Sequence, residues 1–137
     1  MLIIVLIVLA LARPLLKNRF SFAGTRSKTS CVIILDNSYS MGYNGIKGQR
    51  FEIAKQRAQE VLDSLEKGDS ASLILMSDIA EPVFKKLTKD LTLVRSAIKN
   101  SKLSNRTTFV PPSIELALSI LEDSKEPNKE IYLITDF

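Results

Sequence analysis

The chain has no histidine and only one cysteine in its 137 residues. Without histidine there are no imidazole zinc sites and no Ser-His-Asp catalysis. A single cysteine excludes an internal disulfide framework. Cys31 opens the apolar run "CVIIL" and follows Lys-Thr-Ser, so it reads as a small buried thiol and not as a lipidation site. Acid is also missing from one end: no Asp or Glu precedes Ser30, whereas Arg13, Lys17, Arg19, Arg26 and Lys28 do. From residue 30 onward 14 Lys/Arg face 15 Asp/Glu, so the formal charge of +4 belongs to the N-terminal segment alone. The remainder carries no basic face with interleaved aromatics, which excludes nucleic acid as a partner.

What the N-terminus does have is an apolar run, "MLIIVLIVLALARPLL". Its first twelve residues would span about 18 Å as a helix, short of the roughly 30 Å hydrocarbon core of a bilayer. A signal peptide is one reading, since Ala10-Leu11-Ala12 imitates a cleavage site, but no basic n-region precedes it. A buried core helix is another, although a run apolar on all faces suits lipid better. The run is therefore read as a membrane helix over residues 1–16 whose beginning is missing. Residues 17–29, polar and basic, form a juxtamembrane linker, and residues 30–137 form the domain.

Within that domain strands and helices alternate. Cys31–Leu35 is short, apolar and β-branched, the pattern of a fully buried strand. After a loop with Gly42, Gly45 and Gly48, the residues Phe51, Ala54, Ala58, Val61, Leu62 and Leu65 make one apolar helical stripe, with Gly68 as its terminator. Ala71–Ser77 is a second buried strand. "EPVFKKLT" is a short edge strand, because Pro82 is tolerated only at an edge or a strand start. "LTLVRSAIKN" is a second helix. "PPSIELALSILED" is a third, with Ile114, Leu118 and Leu121 on its inward face, and Glu130–Thr135 is a last buried strand. This alternation predicts an α/β fold: a doubly wound, mostly parallel, open Rossmann-like sheet with helices on both faces. An open sheet of this kind continues with further strand–helix units, so the domain reads as incomplete at its C-terminus. Lys85, Lys86, Lys89, Glu122 and Asp123 read as solvated charges, and Met41 and Tyr43 as either rim or core.

The strand ends collect oxygen. Asp36, Ser38 and Ser40 follow the first strand, Thr107 and Thr108 precede the third helix, and Thr135 and Asp136 close the last strand. Parallel sheets present functional groups at the carboxyl ends of their strands. A hard cation such as Mg²⁺ takes such oxygens, keeping several waters. Ser38 and Ser40 alternate, so in an extended loop both hydroxyls face one point, and Tyr39 between them points away. The bland alternative is that Asp36 caps a turn and the serines bond locally.

D36-N-S38-Y-S40, a later threonine and D136 together resemble the metal-ion-dependent adhesion site of von Willebrand factor type A domains. The resemblance implies that Ser38, Ser40 and Thr108, with Thr107 as the fallback, contact Mg²⁺, while Asp36 and Asp136 act largely through water. Mn²⁺ or Ca²⁺ could substitute. It also implies an open position that accepts an Asp or Glu from a partner protein. "ALARP", a basic linker and "DNSYSMGY…RFEIAKQRA" are similar to the membrane-anchored bacterial proteins of the Bat-type aerotolerance-regulator group. Two departures stand out: Phe109 follows the threonine where an acid is common, and "TDF" replaces the commoner "TDG".

Three functions compete. The first is a metal-dependent protein-binding module that is not an enzyme. The second is an aspartyl-phosphate phosphatase or transferase with Asp36 as nucleophile, but Ser38 stands where its acid/base carboxylate belongs, and a hydroxyl protonates a leaving group poorly. The third is a scaffold with a vacant site. The visible basic residues alone would keep the domain in the cytoplasm. The resemblance implies an upstream helix and loop, which place it on the outer face of the bacterial inner membrane, with other membrane type A proteins among its candidate partners.

Overall fold

The computed structural model describes residues 26–45 and 48–136, so the apolar run 1–16 and most of the linker lie outside the described residues. Strand β1 is Thr29–Asp36, and a 3₁₀ turn follows at Tyr39–Gly42. A small hairpin pairs β2 (Asn44–Gly45) with β3 (Gly48–Gln49). Then come α1 (Arg50–Asp63), β4 (Ser70–Met76), β5 (Ala80–Pro82), α2 (Leu91–Asn100), α3 (Pro111–Glu122) and β6 (Asn128–Ile134). The main sheet runs β5-β4-β1-β6, with β4 and β6 parallel to β1 and β5 antiparallel to β4.

β1 is buried along its whole length because it lies between two parallel neighbours with helices on each face. Its period-two alternation divides the core. Cys31, Ile33 and Leu35 pack with Phe51, Ala58 and Leu62 of α1 and with Val94 and Ile98 of α2. Val32 and Ile34 pack with Ile74, Met76 and, on α3, Ala117, Ile120 and Leu121. Both faces are thus covered, as the alternation predicts. Pro82 sits in the antiparallel edge strand, although that strand is only three residues long and begins at Ala80. Among the described residues, no helix is long and apolar enough to cross a membrane.

Three expectations need correction. Leu118 does not face inward but is 50% exposed, and the buried residues of α3 are Ser113, Ala117, Ile120 and Leu121. At 100° per residue this stripe is rotated roughly 80° from the expected one. The small side chains of Ser113 and Ala117 let the helix lie close to the sheet. Second, α1 ends at Asp63, well before Gly68, whose φ of +97° instead serves the turn into β4. Third, β6 is not fully buried: Asn128, Lys129, Glu130 and Leu133 are exposed, since β1 is its one partner among the described residues.

The start of the domain is fastened to that same turn. The Asp69 carboxylate, 2% exposed, accepts from the Thr29 amide and the Glu66 amide, both at 2.9 Å. Lys28 donates to the Lys67 carbonyl at 3.0 Å, and Arg26 pairs with Glu66. The strand therefore begins at Thr29, inside the stretch the sequence assigns to a linker.

Burial pushes the Cys31 thiol up to about 12, helped by the Glu130 and Asp69 carboxylates. At pH 8 its reaction with a thiol-specific disulfide reagent is expected to be about a thousandfold slower in the native protein than in urea, following the thiolate fraction. Equal rates in the two states would contradict the buried placement.

Candidate metal centre

The polar cluster grows from the end of β1. Asp36 is fully buried at the carboxyl end of the sheet, where Met76 of β4 lies beside it in register. The chain then turns, and Asn37 donates its amide to the Met76 carbonyl at 3.0 Å. Ser38 donates its amide to Asp36 Oδ1 at 2.8 Å, so the bland reading of Asp36 as a turn cap is also correct. The loop is clamped from the far side, with the Tyr39 amide on the Arg106 carbonyl and the Ser104 amide on the Asn37 carbonyl, each at 2.8 Å. The 3₁₀ turn then places Ser40 beside Ser38, their hydroxyls 3.2 Å apart. Tyr39 points outward, 74% exposed, while Met41 turns into the core at 1%.

Thr108 closes the cluster. Its hydroxyl donates to Ser38 Oγ at 2.7 Å and lies 3.5 Å from Asp36 Oδ2. The Phe109 amide on the Ser77 carbonyl, at 2.9 Å, fixes this register, and Thr107 is left exposed. The structure thus gathers Asp36, Ser38, Ser40 and Thr108. It does not join Asp136 to them by a hydrogen bond: Asp136 Oδ2 pairs instead with Arg50 at 2.5 Å. Thr135, grouped with the loop oxygens by sequence but left out of the ligand set, donates to Asp36 Oδ2 at 2.7 Å. Arg50 carries no local signal for such a role, because its partner lies 86 positions away.

The donor set fits a small hard cation. Octahedral ligands at 2.0–2.1 Å are separated along an edge by about 2.9 Å, and the hydroxyl separations of 2.7 and 3.2 Å fall on either side of that value. Asp36 supplies a buried charge that enters none of the ion pairs among the described residues. A buried carboxylate without a cation is costly, and a bound metal would offset that cost. Beside the cluster lies a groove of about 680 Å³ lined by Tyr39, Ser40, Tyr43, Asn44, Arg50 and Leu103.

An open α/β sheet with helices on both faces and a carboxylate–hydroxyl cluster at the ends of its parallel strands defines a Rossmann-like α/β domain. More narrowly, the chain belongs to the von Willebrand factor type A domain family, whose model matches residues 31–137. It is 28% identical over 108 residues to a UPF0353 protein of Nocardia farcinica, an alignment covering 74% of this chain and 32% of that protein. Among solved structures it is similar to BatB from Bacteroides thetaiotaomicron, with a TM-score of 0.68, 21% identity and coverage of 77% of this chain and 52% of that one. An aerotolerance-related membrane protein from Bacteroides fragilis gives 0.67 and 19%, over 78% of this chain and 53% of that one. A membrane-spanning protein from Vibrio fischeri gives 0.59 and 26%, over 68% and 49%. The chain therefore spans about a third of the first relative's length and about half of each solved chain's. Type A domains are in general non-enzymatic protein-interaction modules, and the type V pilus tip protein Mfa5 of Porphyromonas gingivalis contains one of this fold.

Proposed function

We propose that this chain is a membrane-tethered protein-binding module of the Bat-like group, which holds Mg²⁺ and uses it to engage a carboxylate of a partner protein. The observation that carries this reading is the gathering of three hydroxyls, Ser38, Ser40 and Thr108, above the buried Asp36. Those hydroxyls would hold the ion directly, and Asp36 and Asp136 would act through water. When bound, the metal supplies an electrophilic position for an incoming Asp or Glu. Asp36 orients the loop through the Ser38 amide, and Thr135 orients Asp36. The rim supports a protein partner over a small solute, because Tyr39, Tyr43 and Phe109 are 74%, 64% and 55% exposed around the cluster. Exposed aromatics beside a polar centre are typical anchors of protein interfaces.

The tether is the apolar run 1–16, in the bacterial inner membrane with the domain on its outer face. That solved relatives are described as membrane proteins supports this location. Other membrane type A proteins are candidate partners. The enzymatic alternative is disfavoured because, among the described residues, the groups bonded to Asp36 are the Ser38 amide and the Thr108 and Thr135 hydroxyls, none of them a second carboxylate.

Mn²⁺ electron paramagnetic resonance on the full chain in detergent tests the reading. Saturable binding displaced by Mg²⁺, and weakened at least tenfold in a Ser38→Ala/Ser40→Ala double variant, is the expected result. Equal Mn²⁺ binding by folded wild type and double variant would leave a type A scaffold with no metal function.

A further inference from the structure

Arg50 occupies a position that its own helix disfavours. It is the first residue of α1, and a cation there opposes the partial positive charge of the helix N-terminus. Two contacts hold the guanidinium in place: Asp136 at 2.5 Å, and the Tyr43 ring, whose centroid lies 5.0 Å away. Arg50 also hydrogen-bonds through its backbone, its amide on the Tyr43 carbonyl at 3.1 Å. The side chain thus stands between the groove beside Ser40 and a second cavity lined by Met41, Ile53, Arg57, Thr135 and Asp136, where the Arg57 charge is taken up by Glu60 at 3.0 Å.

We infer that Arg50 sets the charge of the centre: by pairing with Asp136 it lowers affinity for a divalent cation and raises the loaded centre's affinity for an anionic group on the partner. This rests on the metal reading above. Asp36 and Asp136 bring two negative charges, and the guanidinium cancels one. A divalent ion then leaves the loaded centre with one positive charge in excess, where without Arg50 it would be neutral. Asp136 is 17% exposed and Arg50 44%, so solvent and salt screen the pair in part and the effect is largest at low ionic strength. The guanidinium also occupies an oxygen of Asp136 that a metal-bound water would otherwise use.

The test measures Mn²⁺ affinity by electron paramagnetic resonance and acetate affinity by the change in water-proton relaxation of the Mn²⁺-loaded full chain. Arg50→Met is expected to bind Mn²⁺ about tenfold tighter and acetate several-fold more weakly, with Arg50→Lys close to wild type on both. Should Arg50→Met lose its folded circular-dichroism signal, Arg50→Gln carries the same expectation. Unchanged or weaker Mn²⁺ binding by a folded neutral variant overturns the inference while the metal reading stands. A wild type that binds no Mn²⁺ overturns both.

Discussion

Ile33→Ala is expected to destabilise the domain by about 3–4 kcal/mol, a large share of the 5–15 kcal/mol that holds a domain of this size together. Ile33 is fully buried at the middle of β1, in register with Leu73 of β4 and Tyr132 of β6. Its face of the sheet is covered by Phe51, Ala58 and Leu62 of α1 and by Val94 and Ile98 of α2. These side chains come from two helices and two neighbouring strands, each fixed by its own ladder or helical bonds, so they cannot collapse into the space left by the lost atoms. The cavity cost therefore adds to the transfer cost. Urea unfolding followed by circular dichroism reads the effect as a lower midpoint at similar slope. Leu118→Ala is the control: at 50% exposure it should change stability by no more than about 0.5 kcal/mol. Were the two variants to cost the same, the assignment of inward and outward faces would be wrong.

That control also marks where sequence reading stopped. β1 and α2 were legible because their signals are local: an unbroken apolar run, and the ten-residue stretch "LTLVRSAIKN". The cap of that helix, Asp90 accepting from the Thr92 and Leu93 amides at 3.1 and 3.4 Å, emerged only with the structure. The face of α3 was not, because size decided it. Ser113 and Ala117 carry little hydropathy yet occupy the contact with the sheet, and the conspicuous leucine at 118 was left outside. β6 reads as buried from "IYLIT", but burial depends on neighbours, and its described ones cover it in part. At the candidate centre the alternation of Ser38 and Ser40 was visible, and so was the outward Tyr39. The choice of Thr108 over Thr107 became geometric only once the Phe109 amide met the Ser77 carbonyl. The Arg50–Asp136 pair joins residues too far apart in sequence for any local pattern to reveal it.

Asp36→Asn should separate the structural role of this carboxylate from its proposed metal role. In the absence of divalent ions Asp36 already works, accepting from the Ser38 amide at 2.8 Å and from Thr135 at 2.7 Å. The amide keeps one acceptor oxygen and turns a donor toward one of those groups, a loss of about 1–2 kcal/mol. Relief from burying a charge offsets part of that, so the variant should remain folded in EDTA. Magnesium changes the comparison. An ion that binds only the folded state adds about 2.7 kcal/mol at a concentration one hundred times its dissociation constant. For a domain of this size that corresponds to a rise in Tm of about 10 °C. Wild type should show this rise on Mg²⁺ titration, and Asp36→Asn should lose nearly all of it, because the substitution removes the buried negative charge that attracts the ion. Thermal melts of the full chain in EDTA and in rising Mg²⁺ read both quantities at once. If Asp36→Asn melts lower in EDTA but keeps the Mg²⁺-dependent rise, Asp36 is a turn cap and the ion sits elsewhere. If neither protein responds to Mg²⁺, the three hydroxyls bond only among themselves and to Asp36, and the domain is a type A scaffold with no metal function.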